Sequence, residues 1–106
     1  RDFTFVENVV QANIKSLFAE INQHEVINVA VGDRISVNDL WNNIKEITQS
    51  TTEATYGETR MGDVRDSLAD ISKAKTLLNY NPTYKIRDGL AITYEFFKKQ
   101  SITHEK

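Results

Sequence analysis

With 106 residues, 40% of them apolar, and 13 basic side chains against 15 acidic ones, the chain is expected to form one compact domain around one hydrophobic core. The basic residues are dispersed and the formal charge is −2, so neither nucleic acid nor an anionic membrane surface is an expected partner. Cysteine is absent, which excludes disulfides, thiolate metal sites and cysteine nucleophiles; no apolar run has the length of a membrane span, so a soluble, cytoplasmic protein is expected.

The chain opens at Arg1 rather than at methionine, which fits a piece of something longer as well as a processed or tag-cleaved product. "DFTF" alternates and predicts a short extended segment. Val6, Val9, Val10, Asn13, Ile14, Leu17, Phe18 and Ile21 then recur at helical spacing, predicting an amphipathic helix from about Val6 to Glu20. "EVINVAV" is β-branched and is followed by "GDR", the pattern of a buried strand running into a turn. Ser36 with Asp39 three positions on resembles a capping box, so a second helix starts before Val37, Leu40, Trp41, Ile44 and Ile47.

From Gln49 to Thr59 the composition turns to Thr, Ser, Glu and Gly, the longest expected loop. Val64 to Ala69 reads as a further short extended run. Asp70 or Ser72 caps a brief helix that turns Ala74, Leu77 and Leu78 inward and stops at "NYNP", because Pro82 disfavours helix at the residue before it. A fourth helix places Ile86, Leu90, Tyr94 and Phe97 on one side and gives way to a polar tail, residues 99–106.

Candidate chemistry is sparse. His24 and His104 stand at no ligand spacing from one another, and each reads as a solvated histidine; no metal site and no Ser-His-Asp arrangement is expected. Four scattered glycines form neither a dinucleotide fingerprint nor a P-loop. Tyr94 and Lys98 have the Tyr-x-x-x-Lys spacing of a catalytic pair, yet Tyr94 belongs to the apolar stripe of the fourth helix, and a packed ring under a surface lysine explains the spacing equally. The richest stretch is "TRMGDVRDSLADISKAK" (59–75), in which Arg60 and Arg65 offer planar donor forks suited to phosphate, Asp63 can accept from a ribose hydroxyl, and Gly62 lets the backbone turn between them. The same residues also read as exposed ion pairs of small energetic weight.

Taken together, "RDFTFVENVVQAN", "INVAVGDRISVNDL" and "GDVRDSLADISKAKTLLNYNPTYKIRDGL" resemble the C-terminal part of an extended short-chain dehydrogenase/reductase, nearest the UDP-N-acetylglucosamine 4-epimerase branch of the UDP-glucose 4-epimerase family. The resemblance runs from Arg1 to about Phe97, with residues 45–58 shorter and more divergent than the family pattern.

The resemblance implies an α/β fold: the C-terminal part of an NAD(P)-binding Rossmann-type enzyme, with about four helices and a few short strands. Residues 1–98 would be the UDP-sugar-binding region, with the N-terminal NAD-binding half, and every catalytic group, outside this chain. By the same resemblance Arg1 and Arg60 match two arginines that clamp the nucleotide diphosphate, and Asp63 matches the acid that holds a ribose hydroxyl. Ser67 falls where residue size is tied to admission of an N-acetyl group, since a bulky side chain would exclude it by clash. The implied parent is a homodimeric, NAD-dependent UDP-hexose 4-epimerase of nucleotide-sugar and surface polysaccharide biosynthesis, and this chain alone would be inactive. Two other readings stay open: a related nucleotide-sugar dehydratase or decarboxylase, and a stand-alone, non-catalytic nucleotide-sugar-binding domain. If the Rossmann half is missing, part of the first helix's apolar face is expected to lack its cover.

Overall fold

The computed structural model describes residues 1–58, 62 and 68–104, and within them the chain forms four helices and no strand: α1 (Val6–Phe18), α2 (Val37–Thr48), α3 (Ser72–Leu78) and α4 (Ile86–His104). None is long and apolar enough to cross a membrane. Helix α1 packs on α3, and α2 packs on α4. The radius of gyration is 17.1 Å, where a compact domain of this length would have about 13 Å. The described residues share one buried core, as expected, but the fold around it is more open than a compact domain of this length.

The first pair holds the buried cluster of Ala12, Ala30, Ile71, Ala74, Leu78 and Tyr80. Small residues at Ala12 and Ala74 let the two helices approach closely, and Ile71 and Leu78 each contribute about 1.5–3 kcal/mol by burial. Asp70 accepts from the Ser72 backbone N–H at 2.9 Å and the Ser72 hydroxyl at 2.6 Å, so both residues expected to start α3 act there as a pair, although Ile71 is the capping position. Asn79 closes the helix in the left-handed conformation at φ 55°, with its N–H on the Ala74 carbonyl.

Helix α1 begins at the expected residue and ends two residues before Glu20. Its apolar stripe faces solvent: Val6, Ile14, Leu17 and Phe18 are 61%, 53%, 79% and 82% exposed. The opposite, buried face carries Asn8 and Ala12. Asn8, fully buried, accepts from the N–H groups of Thr83 and Tyr84 and donates to the Tyr84 carbonyl, so both polar atoms of its amide are partnered. One turn on, Gln11 exchanges two 2.8 Å hydrogen bonds with the Asn81 backbone, and Lys15 donates to the Asn79 carbonyl at 2.6 Å. The spacing 8, 11, 15 places all three on one face, so a polar ladder on α1 holds the connection between α3 and α4.

The segment predicted as a strand, "EVINVAV", makes no ladder with any described residue. It keeps the strand alternation: Ile27 and Val29 pack on the α1–α3 cluster while Val26 points out at 76% exposure. Lys73 on α3 ties its start, reaching the Glu25 carboxylate and the Val26 carbonyl.

In the second pair, Ser36 caps α2 as expected, its hydroxyl accepting from the Asp39 N–H at 3.0 Å. Ile44, Ile47, Leu90, Tyr94 and Phe97 line an open apolar groove between α2 and α4, so the fourth helix's stripe lies on the predicted side, though Phe97 remains 63% exposed. Gly89 is required here by close approach, since a Cβ would come within 2.7 Å of the Phe5 Cβ. Lys98 lies over the Tyr94 ring, 5.8 Å from its centroid, the arrangement of a packed ring under a lysine. The polar tail is not separate from this helix, which continues through His104.

Candidate functional site

Of the residues expected to hold a ligand, Arg1 lies within the described structure; Arg60, Asp63 and Ser67 lie outside it, as do Arg65, Asp66 and most of the extended run expected over 64–69. Gly62 is described; the backbone was expected to turn there, and it takes a positive φ of 88°.

Arg1 is fixed through its main chain. Its nitrogen donates to the Ile35 carbonyl at 2.8 Å and its carbonyl accepts from the Ile35 N–H at 2.9 Å, the reciprocal exchange of an antiparallel pair. The side chain of Asp2 turns the other way, into the turn that precedes Ile35: one carboxylate oxygen accepts from the Val31 N–H at 3.2 Å and the other from the Gly32 N–H at 2.8 Å. Gly32 sits at φ 86°, and an added Cβ would come to 3.1 Å from Ile71 Cδ1, so both backbone conformation and space demand glycine. On the far side of the turn the buried Tyr80 hydroxyl donates to the Ala30 carbonyl at 2.7 Å. Burial, with the negative charge of Asp2 adding to it, pushes the Tyr80 phenol above its ordinary range, so it stays a neutral donor.

This turn forms one wall of a polar cavity of 460 Å³. Gly32 and Asp33 face Asp70, Ser72 and Lys75 across it, with Lys85 at the rim. Lys85 pairs with Asp33 at 3.0 Å, both exposed. The Ser72 hydroxyl and then its N–H hold the Asp70 carboxyl below its usual range, and the Lys75 side chain lines the same wall. The cavity thus joins the turn beside Arg1 to the residues that follow Ser67. Asp2, Gly32, Asp33 and Lys85 were not singled out by sequence. "RDF" and "VGDR" contain three of them, but only the fold reveals that residues 30 apart touch.

No protein-family model matches the chain. Its fold is shared with part of the Rossmann-type UDP-sugar epimerases. The chain is 39% identical to the UDP-glucose 4-epimerase of Thermotoga maritima, solved with UDP-glucose, and superimposes with a TM-score of 0.87 over 94% of this chain and 32% of that one. The UDP-glucuronic acid 4-epimerase of Bacillus cereus, solved as a Y149F mutant with UDP-4-deoxy-4-fluoro-glucuronic acid and NAD, gives 31% identity and a TM-score of 0.86 over 94% of this chain and 32% of that one. Among curated proteins, the UDP-glucuronate 4-epimerase of Thermodesulfobacterium geofontis is 33% identical over 93% of this chain and 30% of its own length. Relatives include UDP-glucuronic acid decarboxylases as well as epimerases. The chain therefore spans about a third of the length of the proteins it matches.

Proposed function

We propose that residues 1–98 are the UDP-sugar-binding portion of an NAD-dependent UDP-hexose 4-epimerase. The observation that carries this reading is the likeness, over nearly the whole chain, to a UDP-glucose 4-epimerase solved with UDP-glucose. In it Arg1 and Arg60 clamp the diphosphate and Asp63 holds a ribose hydroxyl. A guanidinium matches the geometry of phosphate oxygens, and each such charge-assisted bond contributes about 1.5–3 kcal/mol. NAD and the catalytic groups belong to the remainder of the longer protein, so this portion supplies binding and orientation and is inactive alone. The outward apolar stripe of α1 and the open arrangement of the helix pairs support a chain that lies against further protein.

Ser67 narrows the substrate. A small side chain beside the hexose leaves volume for an acetamido group, which favours a UDP-N-acetylhexosamine such as UDP-N-acetylglucosamine. A decarboxylase is the second reading, supported by the decarboxylases among the relatives.

The test is Arg60→Ala in the intact protein, followed by calorimetric titration with UDP and by NAD quantification. UDP affinity is expected to fall roughly ten- to a hundredfold with NAD content unchanged. An unaltered UDP affinity would remove Arg60 from the site.

A further inference from the structure

The polar contacts of the first two residues divide the work of a binding arginine between neighbours. Arg1 is held at its backbone by Ile35, through the reciprocal pair of 2.8 and 2.9 Å bonds. Ile35 lies at the end of the turn that Asp2 closes. The Asp2 carboxylate forms no ion pair with any described residue; its two oxygens are spent on the N–H groups of Val31 and Gly32. Tyr80 fixes the residue just before them through the Ala30 carbonyl. Gly32 lies against Ile71, whose Cδ1 would be 3.1 Å from an added Cβ, so a side chain at this position crowds the turn. The turn is thus held by Asp2 and Tyr80, and Ile35, just beyond it in the chain, carries Arg1.

We infer that Asp2 is the positioning residue of the diphosphate clamp: its bidentate grip on the Gly32 turn sets Ile35, and Ile35 sets the backbone from which Arg1 reaches the ligand. The inference rests on the reading that Arg1 contacts the diphosphate. Asp2 touches no ligand itself. It acts by ordering the arginine before binding, so the cost of ordering is met in folding and not at association. A carboxylate is needed because two N–H groups converge on two acceptors; asparagine keeps the size but sets an amide N–H₂ against one of the donors.

The experiment is a double-mutant cycle on UDP affinity in the intact protein, with Arg1→Ala, Asp2→Asn and the double variant titrated against UDP and against UMP. Arg1→Ala is expected to weaken UDP binding roughly ten- to a hundredfold. Asp2→Asn is expected to weaken it about five- to tenfold with UMP affinity nearly preserved, and the double variant to bind no worse than Arg1→Ala. Additive losses, or equal losses of UDP and UMP, would overturn the positioning role. If Asp2→Asn fails to fold, Gly32→Ala strains the same turn with the carboxylate intact and is expected to give the same selective loss; an unchanged affinity there overturns the inference. If Arg1→Ala leaves UDP affinity unchanged, the reading of Arg1 itself falls, which separates that failure from a failure of Asp2.

Discussion

Asn8 illustrates what single residues contribute to this fold and what sequence patterns conceal. Within "VENVVQAN" it looks like one polar interruption in an apolar helix, yet it is the fully buried member, bonded to Thr83 and Tyr84 some 75 residues away, while its valine neighbours face out. Periodicity finds the helix but cannot say which face is covered, because a buried amide with partners for its oxygen and nitrogen looks the same in sequence as a solvated one. Asn8→Ala would leave the Thr83 and Tyr84 backbone groups without their side-chain partner at a part-buried site. Two part-buried N–H groups then lose their acceptor, and we expect a loss of about 1–3 kcal/mol, read as a lower denaturant midpoint at unchanged slope. A loss under about 0.5 kcal/mol would show that water replaces the amide. The turn at Gly62 was legible for a different reason: a glycine between Arg60 and Asp63 signals it locally, with no need to know a distant contact.

At the scale of elements, all four helices were readable because each has an apolar period, with local signals added at the Ser36 start of α2 and the Asn79–Pro82 exit of α3. The strand was read from equally good local chemistry, and its alternation survives in Ile27 and Val29. A strand, however, is defined by a neighbour's backbone, and the described residues provide none. What fastens this segment instead is the pair between Glu25 and Lys73. The Lys73 hydrogen bond, followed by that of Gln23, holds the Glu25 carboxyl below its ordinary range. A depressed carboxylate pKa means that the unfolded state takes up a proton first as pH falls. The pair's contribution is therefore complete above the ordinary glutamate range and is lost as pH drops through the folded-state value. Thermal melts should show wild type and Glu25→Gln converging in stability below about pH 4. A constant difference across acid and neutral pH would mean that the charge is not what fastens the segment.

For the molecule as a whole, the open pairing of helices, the outward face of α1 and a match to about a third of each relative point the same way. Composition suggested a self-sufficient domain because 40% apolar residues suffice for a core. Composition counts apolar side chains without recording which of them meet one another, and here Leu17 and Phe18 meet solvent. The resemblance carried by "RDF" and "SLADISKA" was the better guide to the fold, since it reflects a whole arrangement and not a local preference. The central claim, that the chain belongs to a UDP-hexose 4-epimerase, is tested most directly by incubating the intact protein with NAD and, in turn, UDP-glucose, UDP-glucuronic acid and UDP-N-acetylglucosamine, and following the sugar by proton NMR. The account predicts inversion at C4 with mass conserved, fastest with UDP-N-acetylglucosamine. Loss of carbon dioxide or water from the sugar, or no turnover of any of the three, would contradict it.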